Sequence, residues 1–198
     1  VSTCASSFNF CAKLGYDGTI VWYGFDGSTW QIYKDSGSGP ELVSTGASTF
    51  NLSPQIGTDG TIVWYGSDGT TFQIYKEGGS GPEVVSTGSS TVNQSPQIGT
   101  DGTIVWRGID GTTFQIYKES GSGPEMLSTA TSTVNVLPQI GTDGTIVWHG
   151  DDGTSRQIYK SICAVIDPIP TIGQWALLIM GLLMTSLGLI FMRNRTLA

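Results

Sequence analysis

The chain has 198 residues, 28 of them glycine, and only 13% are charged, with 16 Asp and Glu against 9 Lys and Arg for a formal charge of -7. This acidic balance argues against nucleic-acid binding, which needs a basic face to neutralise phosphates. Cys4, Cys11 and Cys163 include no C-x-x-C and no pair at metal-ligand spacing, so no metal and no cofactor is expected.

The chain opens inside a repeating unit, because Val1, Ser2 and Thr3 match Val43, Ser44 and Thr45. The expectation is a mature or truncated product, or a first strand placed to complete the last repeat. Trp22, Trp64, Trp106 and Trp148 are each 42 residues apart, as are Asp17, Asp59, Asp101 and Asp143. A period of this size points to a solenoid or a propeller. Cys4 and Cys11 stand where the next copy has Gly46 and Ser53, and Cys163 lies just past the last copy. One reading is a disulfide closing a loop or the ends of the array in an oxidising compartment; the other is three unpaired thiols.

Within the second copy, strands are expected over 53–57 (SPQIG), 61–66 (TIVWYG), 71–76 (TFQIYK) and 83–87 (EVVST). Asp-Gly turns at Asp59 and Asp68 and the linker 78–82 separate them. TIVWYG is apolar without alternation, as in a sheet covered on both faces. Blades of a propeller meet that condition. The reading is therefore all-β: a β-propeller of four 42-residue, four-stranded repeats, complete or part of a larger ring, with a parallel β-helix as its rival. Lys34, Lys76, Lys118 and Lys160 recur once per copy and read as solvated strand-end charges.

The stretch from Pro54 to Lys76 resembles the TolB-type repeat of WD-like β-propellers. The matching parts are the turn Thr58, Asp59 and Gly60, the strand residues Ile62 to Trp64, the turn Ser67 to Gly69, and Ile74 with Tyr75. The second turn is shorter than that family's, and Thr stands where the family has Pro. TolB-like rings have more than four blades, so the resemblance implies a truncated ring.

The loops GTDGT at Gly57, Gly99 and Gly141, and GSGP at Gly37, Gly79 and Gly121, scarcely vary. The opposite face does vary: Tyr23, Tyr65, Arg107 and His149 occupy one equivalent position. These four are the candidate ligand- or partner-binding residues, with neutral drift as the alternative. His149 is the sole histidine, no G-x-S-x-G occurs, and the recurring aspartates sit before glycine as hairpins require. No catalytic set is expected. A calcium ion at Asp151 and Asp152 is disfavoured, because the alternating oxygen ligands of a dedicated loop are lacking.

Residues 164–171 read as a linker with a sorting motif, 172–192 as a transmembrane helix and 193–198 as a basic tail, after a repeat domain of 1–163. The 21 charge-free positions from Ile172 to Met192 span about 31 Å as a helix, enough to cross a bilayer core. Arg193 and Arg195 then place the C-terminus in the cytoplasm and the repeats outside. Residues 169–195 resemble the IPTL-CTERM class of bacterial sorting tails through Ile169, Pro170, Thr171 and Trp175, with Ile172 and Ala176 replacing the usual Leu and Gly. That resemblance implies an exosortase-type processing enzyme as a partner; a plain single-pass anchor is the alternative. The combined expectation is an exported, non-enzymatic surface propeller of the bacterial envelope that binds an unknown ligand or protein. The alternatives are a propeller fragment of a larger exported peptidase-type hydrolase, and a surface-coat or spacer protein.

Overall fold

The densest apolar run of each repeat becomes the second strand of an antiparallel meander, four-stranded in the first three copies and three-stranded among the described residues of the fourth. The computed structural model describes residues 8–162 apart from 47, 88–89, 110 and 129–133. Blade 1 comprises β1 (Phe8–Leu14), β2 (Ile20–Phe25), β3 (Trp30–Asp35) and β4 (Glu41–Leu42); blade 2 comprises β5 (Phe50–Ile56), β6 (Ile62–Ser67), β7 (Phe72–Glu77) and β8 (Glu83–Val84). Blade 3 comprises β9 (Asn93–Ile98), β10 (Ile104–Ile109), β11 (Phe114–Glu119) and β12 (Glu125–Met126), and blade 4 comprises β13 (Val134–Ile140), β14 (Thr145–Asp151) and β15 (Arg156–Ile162). Strands pair in sequence order within each blade, and a parallel bridge from Trp30 to Phe50 links blades 1 and 2. The same bridge recurs 42 residues on between Phe72 and Val92. The fold is all-β and propeller-like.

The chain divides into two compact units, Val1–Cys163 and Ala164–Ala198. The linker, the expected transmembrane helix and the basic tail lie outside the described residues, as do Cys4, Cys163 and the strand expected from the first three residues. Among the described residues no helix is long and apolar enough to cross a membrane.

Two expected strand boundaries are corrected. The first strand starts at Phe50 or its equivalent in three copies and one residue later, at Asn93, in the third copy, two or three residues before the position of the expected Ser53, and it carries a bulge. Leu52 pairs with Tyr65 and Gln55 with Val63, so Ser53 and Pro54 together oppose Trp64. The bulge residue has a left-handed backbone in all four copies: Cys11 at φ 51°, Ser53 at 53°, Ser95 at 55° and Leu137 at 55°. A proline follows in three of them, and a bulge tolerates its missing N–H.

The fourth strand, expected over 83–87, is only two residues long. Val85 still donates its N–H to the Ile74 carbonyl at 2.8 Å, but the Ser86 hydroxyl then accepts the Ile74 N–H at 2.8 Å. A side chain thus takes the place of the next backbone carbonyl and ends the ladder. The recurring lysines are also more than solvated charges. Lys34 pairs with Glu41 at 3.4 Å, Lys76 with Glu83 at 2.7 Å and Lys118 with Glu125 at 3.2 Å across β3–β4 and its copies. Exposed pairs of this kind contribute about 0–1 kcal/mol.

The core lies between blades. Val63, Ile74 and Val85 of blade 2 pack on Ile104, Trp106 and Tyr117 of blade 3, and the equivalent residues form the other two junctions. Each tryptophan stacks on the tyrosine opposite it in the next strand, as Trp64 does on Tyr75 with ring centroids 5.8 Å apart. This explains why the second strand is apolar at successive positions: Val63 faces one neighbouring blade and Trp64 the other.

A polar chain crosses every described junction within this core. The indole N–H of Trp106 donates to Asn93 Oδ1 at 2.8 Å, and Asn93 Nδ2 donates to the Phe72 carbonyl at 3.1 Å and to Gln73 Oε1 at 3.2 Å. Gln73 Oε1 also accepts from the Ser86 hydroxyl at 2.6 Å. Asn51 and Asn135 repeat the arrangement with Trp64 and Trp148, and all three asparagines are fully buried. Gly66 has no side chain because a Cβ there would lie 2.8 Å from Asn51 Oδ1.

The aspartates before glycine organise the turns. Asp59 accepts from the Thr61 N–H at 3.0 Å and the Thr61 hydroxyl at 2.9 Å, and Asp68 accepts from both N–H groups of Thr70 and Thr71 at 2.8 Å. Bonds from Thr71 and Thr70 hold the Asp68 carboxyl well below the ordinary carboxylate range, and Thr154 and Ser155 bring Asp152 down to about 2. Depressed carboxyl groups stabilise the fold above their unfolded values near pH 4 and lose that contribution as pH falls through the folded values. The melting temperature should therefore stay level from pH 7 to 5 and drop between pH 4 and 2; a level profile down to pH 2 would contradict this role.

Candidate functional site

Tyr23, Tyr65, Arg107 and His149 lie within the second strands rather than in the loops that follow them. Each sits opposite an isoleucine of the third strand, Ile32, Ile74, Ile116 and Ile158 respectively. Across the other edge they face Phe10, Leu52, Gln94 and Val136 of the first strands. The varying position is thus flanked by a second varying position, which gives each copy its own local chemistry on one scaffold.

Tyr23, Tyr65 and Arg107 are half-buried, supported by the aromatic residue that opens the third strand. Tyr23 stacks on Phe10 at 5.8 Å and meets the edge of Trp30 at 5.5 Å, while Tyr65 leans on Phe72 at 6.0 Å. The Arg107 guanidinium lies 4.9 Å from the Phe114 ring centroid, and its Nη2 donates to Gln94 Oε1 at 2.8 Å. Arg107 Nε is buried without a hydrogen-bond partner.

Burial pushes the Tyr23 phenol up, with the neighbouring Cys11 and Tyr65 adding to the effect. Burial also raises Tyr65, opposed by a hydrogen bond with Ser53 and by the positive charge of Arg107. These interactions place Tyr23, Tyr65 and Arg107 in one row across three blades. His149 is exposed on the outer face of blade 4, where it lines an open cavity of about 270 Å³ with Val136, Asp151 and Arg156. Arg156 stands where the other copies have Trp30, Phe72 and Phe114, so His149 lacks their aromatic support.

Among the described residues Cys11 is an exposed thiol without a disulfide partner; Cys4 and Cys163, its possible partners, lie outside the described residues. Among the described residues no cluster of three His, Cys, Asp or Glu is arranged to hold a metal ion. The carboxylates of Asp151 and Asp152 instead accept turn N–H groups from Gly153, Thr154 and Ser155 at 2.8–2.9 Å. The sorting-motif residues Ile169, Pro170, Thr171 and Trp175 lie outside the described residues.

Sequence reasoning passed over the supporting residues Phe10, Gln94, Trp30, Phe72 and Phe114. Their signal was the spacing of 13 and 7 residues from the varying position, which becomes meaningful only with the strand register. It also passed over the buried asparagines, although Asn9, Asn51, Asn93 and Asn135 keep the 42-residue period.

The described fold and the row it presents define a propeller-like repeat protein. Among solved structures it is similar to a protein described as TolB from Agrobacterium tumefaciens, with a TM-score of 0.62 and 18% identity over 82% of this chain and 65% of that one. It is also similar to the β-propeller domain of the trilobed protease from Pyrococcus furiosus (TM-score 0.60, 14% identity, 78% of this chain and 49% of that one). A third likeness is to the acylaminoacyl peptidase of Pyrococcus horikoshii (TM-score 0.58, 13% identity, 78% of this chain and 26% of that one). The chain spans less than two thirds of each, and at these identities the likeness is one of fold. No curated protein matches it in sequence. Residues 167–195 match the IPTL-CTERM motif.

Proposed function

We propose that the protein is an exported envelope propeller that acts as a binding or structural module and is delivered through its C-terminal sorting segment. The observation that carries the delivery half is the IPTL-CTERM match over 167–195, directly after the last repeat. The apolar run 172–192 would hold the precursor in the membrane with Arg193 and Arg195 on the cytoplasmic side, and an exosortase-type enzyme would act near the motif. The repeats would then face the periplasm or the exterior.

The row of Tyr23, Tyr65 and Arg107, with His149 beyond it, is the proposed contact surface. Rigid aromatic rings offer flat apolar contact, and the half-buried Arg107 guanidinium beside Phe114 offers a charged donor to an anionic group on the ligand. A ligand combining an aromatic or apolar group with a carboxylate fits this chemistry. The likeness to peptidase propellers favours a second reading, in which the same repeats belong to a larger hydrolase and position its substrate.

Two measurements test the proposal. The intact mass of the envelope-associated protein in its native host should lack the segment after about Thr171, and a Pro170→Ala variant should accumulate with residues 172–198 attached; a wild-type mass retaining that segment would overturn sorting. For the surface, an aromatic tripeptide with a free C-terminal carboxylate should bind wild type and lose about tenfold or more in affinity in Arg107→Ala, the scale of a lost charge-assisted hydrogen bond. Equal affinity would remove Arg107 from the site.

A further inference from the structure

Among the described residues every positive φ belongs to glycine, except at one position of the repeat. Cys11, Ser53, Ser95 and Leu137, each 42 residues after the last, hold φ between 51° and 55° with a side chain in place. That region crowds the Cβ of an L-residue, and outside glycine it is mainly asparagine, aspartate and histidine that tolerate it. Pro54, Pro96 and Pro138 follow three of the four and bar the right-handed helical region that a bulge residue ordinarily takes. The prolines account for the conformation. They do not account for the side chain, because glycine would hold the same φ without strain.

The left-handed turn decides where that side chain goes. Side chains along a strand alternate between its two sides, so an unbulged strand would send Ser53 to the side of Asn51, which reaches the Trp30 carbonyl of the preceding blade at 3.1 Å. The bulge returns Ser53 to the side of Leu52 and Tyr65 instead, where it hydrogen-bonds the Tyr65 phenol. Cys11 makes the equivalent contact with Tyr23, and Leu137 lines the same cavity as His149. Ser95 directly follows Gln94, which pairs with Arg107 in the sheet and accepts its Nη2 hydrogen bond at 2.8 Å.

Ser53 and Ser95 belong to blades with a described neighbour on each side, and both are half-buried. The bulge residue changes between copies, from Cys to Ser to Leu, as does the residue it adjoins on the second strand. Strained positions that keep a side chain concentrate at ligand sites, where the side chain is what the strain retains.

We infer that the bulge residue is the second reading side chain of the contact row, and that Ser95 accepts a hydrogen bond from a ligand's last peptide N–H while Arg107 takes the carboxylate beyond it. This role rests on the contact surface proposed above and narrows its ligand to a peptide acid. A guanidinium offers only donors, so it satisfies the carboxylate and leaves the neighbouring N–H without an acceptor. The Ser95 hydroxyl supplies that acceptor. Ser53, engaged with the Tyr65 phenol, is a positioning residue for that ring.

The test titrates triphenylalanine with a free C-terminal carboxylate, and its analogue methylated on the last peptide nitrogen, into the whole chain in detergent. Wild type should bind the methylated peptide about fivefold more weakly, the scale of one neutral hydrogen bond. Ser95→Gly and Ser95→Ala should each bind triphenylalanine about fivefold more weakly than wild type does and should no longer distinguish the two peptides. Ser95→Gly relieves the backbone strain, so its melting temperature should not fall below that of wild type. A glycine variant that binds as wild type does, or that still discriminates against the methylated peptide, would overturn the role of Ser95. So would one that melts well below wild type, which would make the serine a structural residue. Failure of the row itself reads differently: wild type then binds neither peptide, or Arg107→Ala binds as tightly as wild type, and the role of Ser95 falls with it.

Discussion

Everything in the described repeats is arranged around one buried amide. Asn93 sits with no solvent exposure between two sheets, holds the indole of Trp106 within its own blade and reaches the Phe72 carbonyl and the Gln73 side chain of the blade before. A buried polar group with its partners in place fixes geometry more tightly than apolar contact, because any slip leaves donors and acceptors unpaired at about 1–3 kcal/mol each. Apolar surface supplies the attraction between blades, and the amide sets the register at which they meet.

That constraint explains which parts of the repeat stay constant. The tryptophan needs the asparagine, the asparagine needs glycine opposite it at Gly66 or Gly108, and the glutamine needs the serine that ends the short fourth strand. The bulge turns the first strand so that the asparagine enters the junction while the following proline remains buried. The position occupied by Tyr23, Tyr65, Arg107 and His149 lies outside this chain of dependence. It can change from phenol to guanidinium to imidazole while the scaffold stays the same, which is the property a contact surface needs.

Much of the fold was legible in the residues. The 42-residue period, the unalternated TIVWYG strand and the Asp-Gly turns were enough to give four blades that bury their facing sides against one another. The first-strand boundary was missed at Phe50, Asn51 and Leu52, because Asn is a weak strand former and only its buried amide contacts show that it belongs to the sheet. The fourth strand was drawn too long because propensity cannot reveal that Ser86 bonds back to Ile74. At the candidate site the varying position was readable from comparison of the copies, but its supports were not. Gln94 and Phe114 become neighbours of Arg107 only through strand register, as does Arg156, which stands beside His149 where the other copies have an aromatic ring.

The central claim is that the asparagine couples neighbouring blades rather than merely filling space. A double-mutant cycle across the junction tests it most directly, with Asn93→Ala and Gln73→Ala measured singly and together by urea unfolding. Cooperation across the boundary predicts single losses of about 1–3 kcal/mol and a double loss smaller than their sum by at least about 0.5 kcal/mol, since either substitution already breaks the shared contact. Losses that simply add would contradict the coupling and leave apolar packing alone to hold the blades in register.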